Sequence, residues 1–282
     1  MRAILCSSFT GPGDLRLSEI DEPKPSGDEI LIAVHAASVS FMDQLVVSGL
    51  YQMRPPTPFV PGTEASGVVV AVGDKVTGFA PGDRVACSAW TGGYAERMIA
   101  KESKTVRLPD GVAFEAAATV LHNYGTAYYA LVERARAQRD ETLFVTGAAG
   151  GVGLAAVDLG RHLGLRVVAG IGSDDKANLV RAYGASEVIN YRTENLRDRI
   201  KAITGGEGID IGFDNVGGVF VGAWAEKFSA DAARMNATLM QLLAEGKIRP
   251  HIDRVLRLEE AGEAMRAVAN RTVQGRIVLK IR

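Results

Sequence analysis

The chain has 282 residues, 47% hydrophobic and 23% charged, with 32 glycines as its one excess; this length favours two cores, and the composition excludes a disordered chain or a coiled coil. Lys plus Arg (32) nearly balances Asp plus Glu (33), which argues against nucleic acid as the principal partner. The N-terminal stretch breaks at Gly11-Pro12 too early for a signal peptide, and no run approaches the ~20 apolar residues of a membrane span, so a cytoplasmic protein is expected.

From residue 1 to about 120, short β-branched runs alternate with Gly and Pro: EILIAVHAASV (29–39), ASGVVVAVG (65–73) and DRVACSA (83–89). They predict short strands joined by turns, as in a small barrel. Cys6 and Cys87 form no C-x-x-C pair and read as buried or idle thiols. The rhythm then changes. TLFVTG (142–147) leads into a helix-like VGLAAVDLGRHLG, then RVVAGIG, a helix from Asp174 to Tyr183, EVINY, a helix near 194–203, and IDIGFD (209–214). Strands and helices alternating at this spacing predict βαβ units and a parallel sheet covered on both faces. VFVGAW (219–224) reads as a strand, and a helix is expected from Asp231 to Glu245, capped by Ser229 and Gly246. The remaining residues return to mixed strand and helix and are expected to rejoin the first domain.

The most informative segment is Val145-Thr146-Gly147-Ala148-Ala149-Gly150-Gly151-Val152-Gly153, where a buried strand gives way to an amphipathic helix. A diphosphate can approach backbone only where side chains are absent, and the N-terminus of the next helix offers unpaired N–H groups and a positive dipole end. Gly150, Gly151 and Gly153 meet both needs, while Ala148 stands where the usual G-x-G-x-x-G begins. Ala149 and Val152 complete the loop.

Cofactor choice rests on the tip of the second strand, Ile171-Gly172-Ser173, where NAD enzymes place a ribose-binding acid and this chain has none. Asp174 and Asp175 fall in a helix's first turn and read as helix-start acids. Ser173, Lys176 and Tyr191 could surround a 2′-phosphate with donors, favouring NADPH; otherwise Lys176 is a solvated helix lysine and Tyr191 a packed ring.

Ordered matches now cover nearly the whole chain: SVSFMDQLVVSGLY (38–51), PFVPGTEASGVV (58–69), GDRV with GGYAE (82–96), NYGTAYYALV (123–132), TGAAGGVG (146–153), INYR (189–192), FDNVGG (213–218), LLAEGKIRPHI (242–252) and RTVQGRIVL (271–279). On these stretches the chain resembles the zinc-free, zeta-crystallin-like quinone oxidoreductases of the medium-chain dehydrogenase/reductase superfamily. The resemblance implies an α/β fold: a Rossmann-type parallel-sheet domain (122–247) plus a mainly β, co-chaperonin-like barrel domain (1–121), to which 248–282 return. It implies NADPH as cofactor, a quinone or similar electron-poor carbonyl as substrate, and a homodimer formed through 219–224. Ser40 and Thr63 stand where zinc-bearing relatives carry Cys and His, so no metal is expected. Glu64 is read as structural and His122 as packed.

By the same resemblance, Thr126 contacts the cofactor in the cleft between domains, Ser40 lies in the same pocket, and Arg271 reaches the NADPH phosphate. Tyr51 lines the substrate cavity, either as an aromatic wall or as a donor to the substrate oxygen. The chain departs from the family after Gly217-Gly218, where relatives carry a further helix, strand and loop, roughly 40 residues at βαβ lengths. That departure leaves an unfilled slot in the sheet or makes VFVGAW pair with IDIGFD. Two rival readings stand beside quinone reduction: an enone or enoyl reductase of the same superfamily, and a non-catalytic NADPH-binding protein.

Overall fold

The computed structural model describes residues 1–214 and 221–282. Short β-branched runs divided by Gly and Pro form β1 (Arg2–Leu5), β2 (Arg16–Glu19) and β3 (Glu29–Val39), followed by helix α1 (Phe41–Val47). Next come β4 (Glu64–Val72), β5 (Arg84–Ser88), β6 (Arg97–Lys101) and β7 (Thr105–Arg107). Helices α2 (Phe114–Ala117) and α3 (Asn123–Tyr128) lead into an alternating run of β8 (Thr142–Val145), α4 (Gly151–Leu163), β9 (Arg166–Ile171), α5 (Ala177–Ala182), β10 (Glu187–Asn190), α6 (Leu196–Ile203) and β11 (Ile211–Phe213). The last elements are α7 (Val221–Lys227), α8 (Ser229–Ala244), β12 (Ile252–Arg257), α9 (Ala261–Ala269) and β13 (Arg276–Lys280).

Two main sheets result. The alternating run builds a four-stranded parallel sheet in the order β10-β9-β8-β11. The other is a seven-stranded, mostly antiparallel sheet ordered β12-β13-β3-β4-β5-β7, with β6 added on β3. β3 organises it because it is long: β4 lies along one edge, while β6 pairs with Glu29–Ala33 and β13 with Ala36–Val39. Register shifts between β3 and β4 mark the irregularities that bend such strands. The chain's end thus pairs with its beginning through β13. A further bridge joins Gly150 to Gly275, so the glycine turn that follows β8 touches the residue that precedes β13.

Each sheet has its own core. Leu154, Val157 and Leu159 of α4 pack with Leu143 and Val145 of β8 and with Leu239 of α8. Ile30 and Ile32 of β3 pack with Met98 of β6 and Met265 of α9. The two cysteines are buried and unpaired, as expected, and burial together with the nearby Glu64 carboxylate pushes the Cys87 thiol up to about 12. Among the described residues no helix is long and apolar enough to cross a membrane. Gly153 is needed for the helix to sit on its strand, because a Cβ there would lie 2.3 Å from the Gly147 carbonyl oxygen.

The structure corrects the reading of VFVGAW. Residues 221–224 open helix α7 instead of forming a strand, and 219 and 220 lie outside the described residues, as do Asn215 to Gly218 and the departure that follows them. Helical spacing lets Trp224 pack on Tyr129 with ring centroids 4.8 Å apart and approach Phe228 at 6.3 Å, an i, i+4 aromatic pair that an extended segment would separate. β11 pairs with β8 alone among the described residues, so its outer edge is not filled by 221–224. The expected pairing of two copies through a strand at 219–224 therefore has no strand at 221–224 to use. Two smaller differences concern the neighbouring helices. Ser229 lies inside α8, with Phe228 as the preceding cap, and Asp174–Lys176 form a 3-10 turn ahead of α5.

Asp158 sits fully buried on α4 and accepts hydrogen bonds from the Tyr124 hydroxyl (2.9 Å) and the Arg249 backbone N–H (2.6 Å), with Arg161 at 3.2 Å. It ties α3 and the segment after α8 to the nucleotide-fold helix. Asp158→Ala strands two of these donors, so urea unfolding should show a loss of about 3 kcal/mol, against about 1 kcal/mol for Tyr124→Phe.

Candidate functional site

The turn after β8 is held by backbone. Thr146 N donates to Phe213 O at 3.0 Å and its hydroxyl to Asp214 at 2.7 Å. Gly147 takes a left-handed φ of 56°, and Ala148 N donates to Gly170 O at 3.0 Å. Gly150 then caps α4 with no side-chain hydrogen bond. The first helical bond runs from Leu154 N to Gly150 O (2.7 Å), which leaves the N–H groups of Gly151, Val152 and Gly153 as the open donors of the first turn. Gly150 is exposed, Gly151 and Val152 are half-buried, and Ala149 and Gly153 are buried.

Behind this turn lies a residue that the sequence reading passed over. Arg276 is 8% exposed. Its Nη1 donates to Val39 O at 3.3 Å, its Nη2 donates to Asn123 Oδ1, and its Nε has no partner. A Cβ on Gly151 would fall 3.1 Å from that Nε and 2.9 Å from Asn123 Nδ2. Only bare backbone lets the guanidinium and the helix N-terminus share this corner. A small cavity opens there between Thr119, Asn123, Gly151, His251, Gly275 and Arg276. The signal for Arg276 was a charged residue set directly against the apolar run of the last strand.

The second donor group lies at the carboxyl ends of β9 and β10, which are paired at Asn190 and Ile171. Tyr191 is 43% exposed and crosses Gly172, whose Cβ would meet the tyrosine hydroxyl at 3.0 Å. Ser173 spends its hydroxyl proton on Asp175, and Asp174 is held by Asn190 Nδ2 at 2.8 Å. Lys176 is half-buried, and among the described residues its ammonium has no hydrogen bond or ion pair, while its backbone N–H donates to Ser173 O at 3.2 Å. Arg192, beside Tyr191 and also exposed, adds a cation that was not singled out. Arg271 is exposed in the loop after α9 with φ 57°, and no contact joins it to Ser173, Lys176 or Tyr191 among the described residues.

The third group is a buried polar cluster that joins the two sheets. Ser40 caps α1, its Oγ accepting from Asp43 N (3.0 Å) and donating to Asp43 Oδ2 (2.6 Å). Thr63 donates to the other Asp43 oxygen at 2.9 Å, and the Tyr94 hydroxyl reaches Oδ2 at 3.1 Å. The two residues placed at metal-ligand positions by resemblance thus share one carboxylate as their acceptor. Glu64, fully buried, accepts from Ser38 Oγ at 3.0 Å and from His122 N at 3.3 Å, with His122 Nδ1 3.8 Å away. Thr126 donates its hydroxyl to His122 O at 2.6 Å. Tyr51 is half-buried against the core of the larger sheet.

Burial dominates the electrostatics of this cluster. It pushes Glu64 up to about 7, against the opposing pull of Arg276 and the Ser38 hydrogen bond. Asp43 is also raised by burial, while Ser40, Thr63 and Arg276 oppose the shift. Burial and the Arg276 charge push His122 down to about 4. At neutral pH the imidazole is therefore uncharged, and Glu64 is poised between its two forms.

The chain matches known proteins along most of its length. Residues 26–110 match the alcohol dehydrogenase GroES-like domain, and residues 151–229 and 220–279 match two zinc-binding dehydrogenase models. Rat quinone oxidoreductase is 40% identical over 213 residues, an alignment spanning 75% of this chain and 65% of that protein. The chain thus spans just under two thirds of the length of that relative. Rat quinone oxidoreductase-like protein 2 is 31% identical, covering 100% of this chain and 92% of the relative. Among solved structures, a probable oxidoreductase from Mycobacterium abscessus superposes with a TM-score of 0.92 at 29% identity, covering 99% of each chain. Escherichia coli quinone oxidoreductase complexed with NADPH superposes at 0.87 and 28% identity, covering 99% of this chain and 100% of that one.

The opposed shifts of Glu64 and His122 predict a pH signature in stability. Glu64 titrates at about 7 in the fold against 4.5 for an ordinary glutamate, so its contribution is lost as pH rises through that window. His122 titrates at about 4 against 6.5, so its contribution is lost as pH falls. The two offset one another in the wild type between about pH 4.5 and 6.5. In Glu64→Gln the glutamate limb is lost and the histidine limb remains. Denaturant unfolding should show the variant gaining roughly 3 kcal/mol on the wild type between pH 4 and pH 8.

Proposed function

The chain belongs to the medium-chain dehydrogenase/reductase superfamily, and from that premise we propose that it binds NADPH and reduces a quinone or similar electron-poor carbonyl compound without a metal. The observation that carries this reading is the bare first turn of α4, with its open N–H donors and the unpartnered Nε of buried Arg276 beside it. Open donors and a buried cation at one corner suit a diphosphate, and a side chain on Gly151 would fill the space it needs. NADPH, when bound, supplies the hydride.

The remaining residues sort by what their hydroxyls and charges have left to give. Lys176 and Tyr191, joined by Arg192 and by Arg271 from the loop after α9, are the donors for a 2′-phosphate. Ser173 can join them only by releasing Asp175. Thr126 and Ser40 have already donated their protons, to His122 O and Asp43, so they meet a bound ring as walls or acceptors. Tyr51 has no hydrogen bond among the described residues and is the free hydroxyl for the substrate oxygen. The carboxylates at the strand tip are held by Ser173 and Asn190, which leaves no free acid to favour the unphosphorylated cofactor.

Calorimetry with NADPH and NADH tests the reading directly. NADPH should bind more tightly, and Lys176→Ala should weaken it roughly tenfold while leaving NADH unchanged, as expected for one lost charge-assisted hydrogen bond. A panel of quinones and activated alkenes should then oxidise bound NADPH, with quinones the better acceptors. Equal affinity for the two cofactors, or no association with either, overturns the cofactor assignment. Binding without turnover of any acceptor converts the protein into a cofactor-binding protein.

A further inference from the structure

We propose that Glu64 and His122 form a proton relay that protonates the reduced substrate, with His122 as the donor to substrate and Glu64 as the reservoir behind it. The inference rests on the reductase reading above. Hydride transfer to a carbonyl or quinone leaves negative charge on an oxygen, and that oxygen needs a proton that NADPH does not carry.

The geometry supplies one. Glu64 is fully buried on β4, and its Oε2 lies 3.8 Å from His122 Nδ1. His122 precedes α3, keeps 26% of its side chain exposed, and is bonded through its carbonyl to Thr126. The imidazole therefore stands beside a buried carboxyl group while part of it remains exposed, at the N-cap of the helix that carries Thr126. The 3.8 Å separation is longer than a hydrogen bond, as is common for catalytic pairs before substrate closes the site.

Hydrogen bonding around the pair leaves it one proton to share. Thr63 Oγ1 lies 3.5 Å from His122 Nδ1, yet its own proton is committed to Asp43, so it can only accept. Nδ1 thus faces one potential acid, Glu64, and one acceptor, Thr63. The other charged or titratable groups around the pair are Asp43 on α1, Cys87 on β5, Tyr94 before β6 and Arg276 on β13. Arg276 balances one of the two buried carboxylates and leaves the other to hold a proton. Burial raising Glu64 to about 7 agrees with this count.

The hydride adds to the acceptor, and the π pair moves onto its oxygen. That oxygen takes the proton from His122 Nε2, while Nδ1 takes the proton from Glu64 Oε2. Water then protonates Nε2, and Nδ1 returns its proton to Glu64. The net reaction consumes NADPH, the acceptor and one proton from water, and no solvent has to reach the buried carboxylate.

Three measurements on the full chain decide the proposal. The pH profile of kcat with a quinone should fall as pH rises through about 7, and Glu64→Gln should lower kcat about 100-fold and abolish that limb with the Kd for NADPH unchanged. His122→Ala should lose a similar factor and recover part of it on addition of imidazole, which a merely structural role would not do. Infrared difference spectra of the cofactor-free protein should show a protonated carboxyl band at neutral pH that disappears in Glu64→Gln. If NADPH binds and turns over while both variants keep the wild-type kcat and pH limb, the relay is overturned. It is equally overturned if the carboxyl band is absent, or if NADPH binds and no acceptor is reduced. Failure of NADPH to bind overturns the reductase reading on which the relay rests. Should Glu64→Gln fail to fold, the His122→Ala rescue and the infrared band of the wild type decide alone.

Discussion

Arg276 leaves the first position of β13, reaches the carbonyl of Val39 and the amide of Asn123, and sets its Nε against the bare backbone of Gly151. One side chain thereby touches the larger sheet, the helix that enters the nucleotide fold and the N-terminus of α4. Burying a guanidinium is costly unless its donors are met or an anion is near. Here two of its nitrogens are met by protein and the third is open at the glycine turn. The Gly150–Gly275 bridge fixes the same corner through backbone. The site proposed for a diphosphate and the joint between the two sheets are thus built from the same atoms.

The polar cluster follows from that charge. Asp43 and Glu64 are both buried, and Arg276 is the cation placed near them. Asp43 is the better solvated by protein, with Ser40, Thr63 and Tyr94 donating to it. Glu64 has fewer donors and burial raises it to about 7, beside an imidazole that burial and the same cation keep neutral. Ser40 and Thr63 serve this arrangement as donors to a carboxylate.

The parallel sheet shows a different constraint. β11 is three residues long and pairs only with β8 among the described residues. Residues 221–224 join a helix whose aromatic ridge packs on Tyr129. An apolar segment rich in Val and Trp can satisfy its burial by either route, and the nearest apolar surface decides between them. The relatives share the fold on both sides of this region, since matches extend from residue 26 to residue 279.

The sequence by itself determined the parts that depend on local pattern. Alternating strands and helices after residue 142, the glycines at 150, 151 and 153, and the absence of an acid at the tip of the second strand were all legible, because each is a matter of spacing along the chain. The helical state of 221–224 was not legible, since a short apolar run satisfies strand and helix alike until its neighbour is known. Nor were the roles of Asp43, Tyr94, Asn123 and Arg276, which meet across α1, the loop before β6, α3 and β13. Only the tertiary structure decided which buried acid received more hydrogen-bond donors and which was set beside His122 with fewer. The physical reason is that burial and hydrogen-bond supply are properties of the assembled interior, and residues far apart in the chain create them together.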